Sequence, residues 1–139
     1  MRILVRDFRE IGVILDFAHD CEFCTDDLRY SSETQCLELP FERERRDRKE
    51  KVARILFVTK WKFPVIESVL RLHHVSNYDV EDEAQIGAYF LNDIKYDESA
   101  KTVRVTAEPL LSITAVVSQL LIELEDTERV IRERNMFSL

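Results

Sequence analysis

Apolar and polar positions alternate with period two along much of the chain, the spacing of strands that bury one face. Gly12–Phe17 and Cys36–Phe41 each read as such a strand, and Asp20–Gln35 between them is polar, acidic and without periodicity. That stretch is expected to be a long loop. Ala53–Thr59 is an apolar run rich in β-branched and aromatic residues, reached from Cys36–Phe41 across the charge block Glu42–Lys51. Two strands joined by a solvated connection are the prediction. Pro64–Val75 fits two periods. Read as a helix starting at Pro64, it aligns Ile66, Val69, Leu70 and His73. Read as a strand, it sets Leu70, Leu72 and His74 against Val69, Arg71 and Val75, and the neighbouring strands favour this form.

The second half alternates more cleanly. Ile86–Tyr96 predicts a strand, Asp97–Lys101 a polar turn, and Thr102–Thr106 a strand with Val103 and Val105 inward. Pro109 interrupts, since proline cannot donate to a central ladder. Ile113–Glu125 reads as one long strand with a bulge. Its apolar set shifts phase from Ile113, Ala115 and Val117 to Leu120, Ile122 and Leu124, as one inserted residue would cause. The tail Asp126–Arg134 predicts a short helix capped by Asp126 or Thr127. The fold expected is mainly β: an antiparallel sandwich or strongly bent sheet of about six to eight strands, with at most one or two short helices. All 139 residues are expected to form one domain.

Composition narrows what such a domain can do. Hydrophobic residues make up 45% and charged residues 34%, which supports a core and excludes disorder. Only Gly12 and Gly87 are glycine, too few for the phosphate-cradling loops of dinucleotide or P-loop sites. No cofactor is expected. The formal charge of −7 opposes nucleic-acid binding in general. No apolar run reaches the length that spans a bilayer, and the first residues, Met-Arg-Ile-Leu-Val-Arg-Asp, do not read as a signal peptide. Neither nucleic acid nor membrane is expected as a partner. Three cysteines form no even disulfide framework, so reduced thiols in a cytoplasm are expected.

Four groups of residues invite a chemical reading. His19, Cys21 and Cys24, with Cys36 further on, supply four zinc-competent side chains. The Cys21–Cys24 spacing also matches a thiol-redox pair, which needs a helix starting at the pair to lower the first thiol's pKa. The residues after Cys24, Thr25-Asp-Asp-Leu-Arg-Tyr, lack the apolar stripe of that helix. Metal-free thiols are therefore expected, with a cysteine-centred metal or redox protein as the alternative. His73 and His74 precede Asn77, Tyr78 and Asp79, but neighbouring strand residues face opposite ways, so one site can take only one imidazole. Asp79, Glu81, Asp82 and Glu83 are expected in a solvated loop without the order of a calcium site. Arg43, Arg45, Arg46 and Arg48 lie in a block interleaved with acids, which favours mutual pairing over polyanion capture. They are the candidate interaction residues.

Leu70–Tyr78, Asn92–Asp97, Thr102–Val105 and Leu120–Glu125 together give a strand rhythm. In it the chain resembles small, mostly uncharacterised bacterial β-rich domains, some of them immunity proteins of polymorphic toxin systems. The resemblance implies an antiparallel β fold in a bacterial cytoplasm and, for the immunity role, a protein partner bound through an acidic face. No aromatic-His-Asp pattern of the kind that often opens such domains stands near this N-terminus. The function expected is a non-enzymatic protein-binding or interaction module.

Overall fold

A computed structural model describes all 139 residues. Period-two alternation closes into ladders along β1 (Arg2–Val5), β2 (Glu22–Cys24), β3 (Arg29–Ser31), β4 (Cys36–Glu44), β5 (Glu50–Ile55) and β6 (Val58–Leu72). It continues through β7 (Val75–Asp82), β8 (Ala88–Asp97), β9 (Thr102–Glu108), β10 (Leu111–Val117) and β11 (Ile122–Ser138). These form one sheet of order β1-β11-β6-β4-β2-β8-β9-β10-β7, with β3 added beside β4 and β5 beside β6. Every pairing is antiparallel.

One buried cluster takes side chains from β1, β2, β4 and β6 through β11. A sheet this wide can share a single core only by curling over on itself. The curl is visible where Tyr30 of β3 stacks on Tyr78 of β7, with ring centroids 5.3 Å apart. The Tyr30 hydroxyl also donates to the Val75 carbonyl at 2.6 Å. Val103, Val105, Ile113 and Ala115 face inward as their alternation predicts.

The antiparallel, strongly bent sheet agrees with the sequence, but it has eleven strands rather than six to eight. The additional ones are short or lie on charged edges, where no apolar alternation marks them. Gly12–Phe17 is not a strand. Ile11–Ala18 forms α1, the one α-helix, burying Ile11, Ile14 and Ala18 at helical spacing and leaving Val13 and Phe17 exposed. The period of the buried set, rather than the apolar run, decides. Asp20–Gln35 is no continuous loop, since it holds β2 and β3. Asp79, Glu81 and Asp82 lie on β7 at the sheet's edge, where acids discourage pairing with another chain. Pro64–Leu72 is strand, as favoured.

Two further corrections shape the rest of the molecule. Ile113–Glu125 is two strands in different parts of the sheet, separated at Ser118–Leu121 where the chain crosses from β10 to β11. The phase shift marks that crossing instead of a bulge. Asp126–Arg134 is not helical either. It continues β11 along β6, with register shifts on both sides of Val130 and a left-handed Glu128. Ladder partners on β6 outweigh local helix preference there. As a result β5, the first part of β6 and the last part of β11 run on past the core as a three-stranded arm. Its turn falls inside the predicted Ala53–Thr59 strand, which reverses at Leu56 and Phe57.

Candidate functional site: the arm and the cleft at its base

The arm is built by register. Ile55 pairs with Val58, Arg54 with Thr59 and Lys51 with Trp61 on one side, while Arg134 pairs with Phe63, Met136 with Trp61 and Ser138 with Thr59 on the other. Phe63, buried, marks where the arm leaves the body, and the Arg46 guanidinium lies over its ring at 5.5 Å. Further out, Trp61 donates its indole N–H to the Ser138 hydroxyl at 2.8 Å and carries the Lys49 ammonium over its ring at 4.6 Å. Lys62 pairs with Glu133 at 2.5 Å. Beyond these contacts both faces of the arm meet solvent, and β5 is exposed along its whole length.

The tip departs from ordinary hairpin chemistry. Two-residue hairpin turns favour Asn-Gly or Gly at the positions that need positive φ. Here Leu56 takes φ 55°, a left-handed conformation in which a Cβ costs roughly 1–2 kcal/mol. Around it Ile55, Leu56 and Phe57 are 73%, 85% and 79% exposed, and Val58 is also exposed. Strain and water-exposed apolar surface coincide at Leu56, as they do at Leu110 (φ 53°, 65% exposed), but at the tip four apolar residues in a row face water. Such coincidence points to function, because neither cost is repaid by packing within the molecule.

Charge divides along the same line. Lys49–Lys62 and Arg134–Leu139 hold six Lys or Arg and one acid, giving the arm +5, while the rest of the chain carries −12. The cations at the arm's base are engaged. Arg43 clasps Asp126 through two hydrogen bonds of 3.2 and 2.7 Å, Arg45 pairs with Asp47 and Asp126, Arg46 with Glu44, and Arg48 with Glu128. Arg132 pairs with Glu42, and Arg134 with Glu42 and Glu44. Lys51, Arg54 and Lys60, which surround the tip, form no ion pair, and Lys49 engages only the Trp61 ring. The four arginines singled out in the sequence thus act as struts where the arm joins the body. Of the cations nearer the tip, Lys51 lies in the charge block read from the sequence, whereas Lys60, across the turn, lies outside it.

The strut around Asp126 is buried. Its carboxylate also accepts from the Ser68 hydroxyl at 2.5 Å. Burial alone would push the Asp126 carboxyl up, but the hydrogen bonds from Arg43 and Ser68 and the Arg43 charge hold it below the usual range. A second network surrounds Glu123, which is hydrogen-bonded by Arg2 and by His73 at 3.0 Å, with Arg71 at 3.5 Å. Burial is again outweighed, and the Glu123 carboxyl stays low. His73 is thereby part of a structural clasp. His74 contacts Gln119 at 2.9 Å, while Asn77 and Asp79 are exposed on β7.

An open cleft of about 480 Å³ lies between α1, β2 and β4 at the arm's base. It brings together His19, Cys21, Arg43 and Arg46 from the sequence candidates. Its chemistry is muted. Burial pushes the Cys21 thiol up to about 11, leaving roughly one thiolate in 10,000 at pH 7. The thiol donates to the Phe17 carbonyl at 3.4 Å. His19 Nδ1 lies 3.2 Å from the Asp20 carboxylate. Cys24 lies outside the cleft, three residues along an extended segment that turns successive side chains to opposite faces. Cys36 is buried at the start of β4. The three thiols are free, and no group of three His, Cys, Asp or Glu side chains is placed to hold a metal ion. The helix that a redox pair requires is absent, because Glu22–Cys24 is strand.

Comparison with protein-family models, with curated proteins and with solved structures found no match.

Proposed function

We propose that the protein is a non-enzymatic interaction module and that the arm is its contact element. The observation that carries this reading is the tip, where Leu56 is both backbone-strained and among the most exposed apolar residues. Less costly alternatives exist, since glycine or asparagine would form the same turn without either penalty. A contact that occupies the tip repays both. Unpaired cations around the tip steer encounter with an acidic partner, raising on-rate more than affinity. Three free thiols fit a reducing compartment such as the bacterial cytoplasm that the family resemblance implies.

Fractionation of a native cell extract by sedimentation tests the reading. The protein is expected to travel in an assembly well above its own 16.5 kDa mass, and Leu56→Asn/Phe57→Ser is expected to return it to the monomer position. A wild-type protein that migrates free in the extract at low salt ends the proposal.

A further inference from the structure

The partner that best fits the tip is a membrane surface. We infer that the arm docks on an anionic lipid bilayer, its apolar tip entering the headgroup–acyl boundary and its cations meeting lipid phosphates. This rests on the arm being the contact element.

Shape weighs against the simplest protein alternative, a second copy offering a socket for the whole tip. The tip is convex, so a protein partner must offer an apolar socket. Most of the chain's surface depressions are lined mainly by polar and charged residues. The one beside Phe23, Pro40, Phe41 and Ile131 has about 110 Å³, room for roughly one side chain, and a wholly apolar cavity of about 10 Å³ lies within the core between Leu37, Leu70 and Ile113. None of the apolar-lined depressions on a second copy is large enough to receive all four apolar side chains of the tip. A bilayer accepts a convex apolar tip without a preformed pocket.

Spacing supports the same partner. Interfacial segments bury their apolar part roughly 5–10 Å into the headgroup–acyl boundary. At about 3.3 Å per strand residue, that depth immerses the turn from Ile55 to Val58 and sets Arg54 and Lys60 at the level of the phosphates. Lys51 follows one step behind. These three cations have no carboxylate partner in the chain, so contact with phosphates breaks no internal ion pair.

Charge on the body does not oppose the contact. Its −12 begins near Phe63, six strand residues or roughly 20 Å behind the tip. At physiological ionic strength the Debye length is about 8 Å, so repulsion across that distance is largely screened. A nucleic acid would use the cations but leave the tip in water. Absence of a bilayer-spanning segment bears on insertion across a membrane and leaves this surface mode open.

Trp61 is the chain's single tryptophan and sits three residues from Val58, so the arm carries its own reporter. The experiment mixes the full purified chain with vesicles of phosphatidylcholine alone or of phosphatidylcholine with phosphatidylglycerol. Sedimentation with the anionic vesicles alone is expected, with a blue shift of Trp61 emission and release at high salt. Leu56→Asn/Phe57→Ser should weaken binding at least about tenfold, and Lys51→Glu/Arg54→Glu/Lys60→Glu should abolish the preference for anionic lipid. Thermal melts of both variants show whether the fold is intact. No sedimentation with either vesicle overturns the inference, as does a tip variant that is folded and binds like wild type. Two outcomes separate this failure from failure of the broader reading. If vesicles are not bound but the extract assembly survives removal of membranes and depends on the tip, a protein partner takes the arm. If neither is seen, the arm is not a contact element.

Discussion

The body and the arm share β6 and β11, and the two regions obey different rules. Where β6 and β11 run through the body, alternate side chains are sealed: Ile66, Leu70, Ile122 and Leu124 are all buried. Where they run through the arm, alternation loses its meaning because both faces are wet. Charges follow the same division. In the body, carboxylates such as Glu123 and Asp126 are clasped by arginines, whereas the cations around the tip have no partner. In the body most apolar residues are explained by what they touch, and exposed ones such as Phe8, Ile86 and Leu110 stand apart from one another. At the tip nothing within the molecule explains Leu56 or Phe57, and that contrast is the reason to seek a ligand there.

The sharpest way to break the comparison is to truncate one residue on each side. Ile66→Ala, in the body, is expected to cost about 3 kcal/mol, as a buried aliphatic does when a cavity is left. Phe57→Ala is expected to stay within about 0.5 kcal/mol. Denaturant melts decide, and a comparable loss for both would mean the arm packs as part of the core.

Next in size is the strut at the arm's base. Arg43→Ala leaves Asp126 buried beside Ser68 with the more distant Arg45 and the N-terminal ammonium as counter-charges. A loss of about 3 kcal/mol is expected, at the low end for a broken buried pair because Arg43 retains some exposure. The same chemistry sets the acid limb. Asp126 and Glu123 are both held below their ordinary values in the folded chain, against 3.8 and 4.5 unfolded. Their contribution is present above those unfolded values and is lost as pH falls through the lower folded ones. Melting temperature should therefore drop steeply below about pH 4.5, and less steeply in Arg43→Ala. Cys21 acts with opposite sign, since its thiol stays protonated in the fold. Its contribution is intact below the ordinary 9.0 and fades as pH rises toward about 11.

A smaller effect has the more telling direction. Leu56→Asn should stabilise the protein by about 0.5–1 kcal/mol, because asparagine accepts the left-handed turn and exposes less apolar surface. A variant that gains stability while losing contact would show that the native residue is kept for binding. If Leu56→Asn destabilises, the strain argument fails.

The smallest expected difference is kinetic and concerns the thiols. Alkylation near neutral pH should reach Cys24 first, because it is exposed, and Cys21 more slowly, because little of it is thiolate. Cys36, buried, should react only on unfolding. Fast reaction at Cys21 would revive a chemical role for the cleft.

Much of the sheet was legible because one face of each long strand is sealed, and sealing imposes period two. Val103, Val105, Ile113 and Ala115 carry that imprint plainly. The candidate site was far less legible. Within the charge block the expected mutual pairing is found for Arg45 with Asp47 and Arg46 with Glu44, but Arg43 and Arg48 engage Asp126 and Glu128, which lie 83 and 80 residues away along the chain. Leu56 and Phe57 look like the middle of a buried strand, since an exposed turn made of Ile-Leu-Phe-Val has no turn residue to announce it. Gly12–Phe17 misleads for a related reason: its apolar run satisfies both periods, and only contact of Ile14 and Ala18 with the core selects the helix.

By itself the sequence determined a mainly antiparallel β chain with an acidic balance, thiols in no even framework and too few glycines for a phosphate loop. These follow from local periodicity and composition, which each segment carries without reference to the others. Tertiary structure alone decided that β11 runs on where a helix was expected, that β5, β6 and β11 outrun the core, and that the tip lies far from any covering surface. Strand pairing is a contest between distant segments for the same ladder positions. Its outcome sets which apolar residues are sealed and which are left facing water.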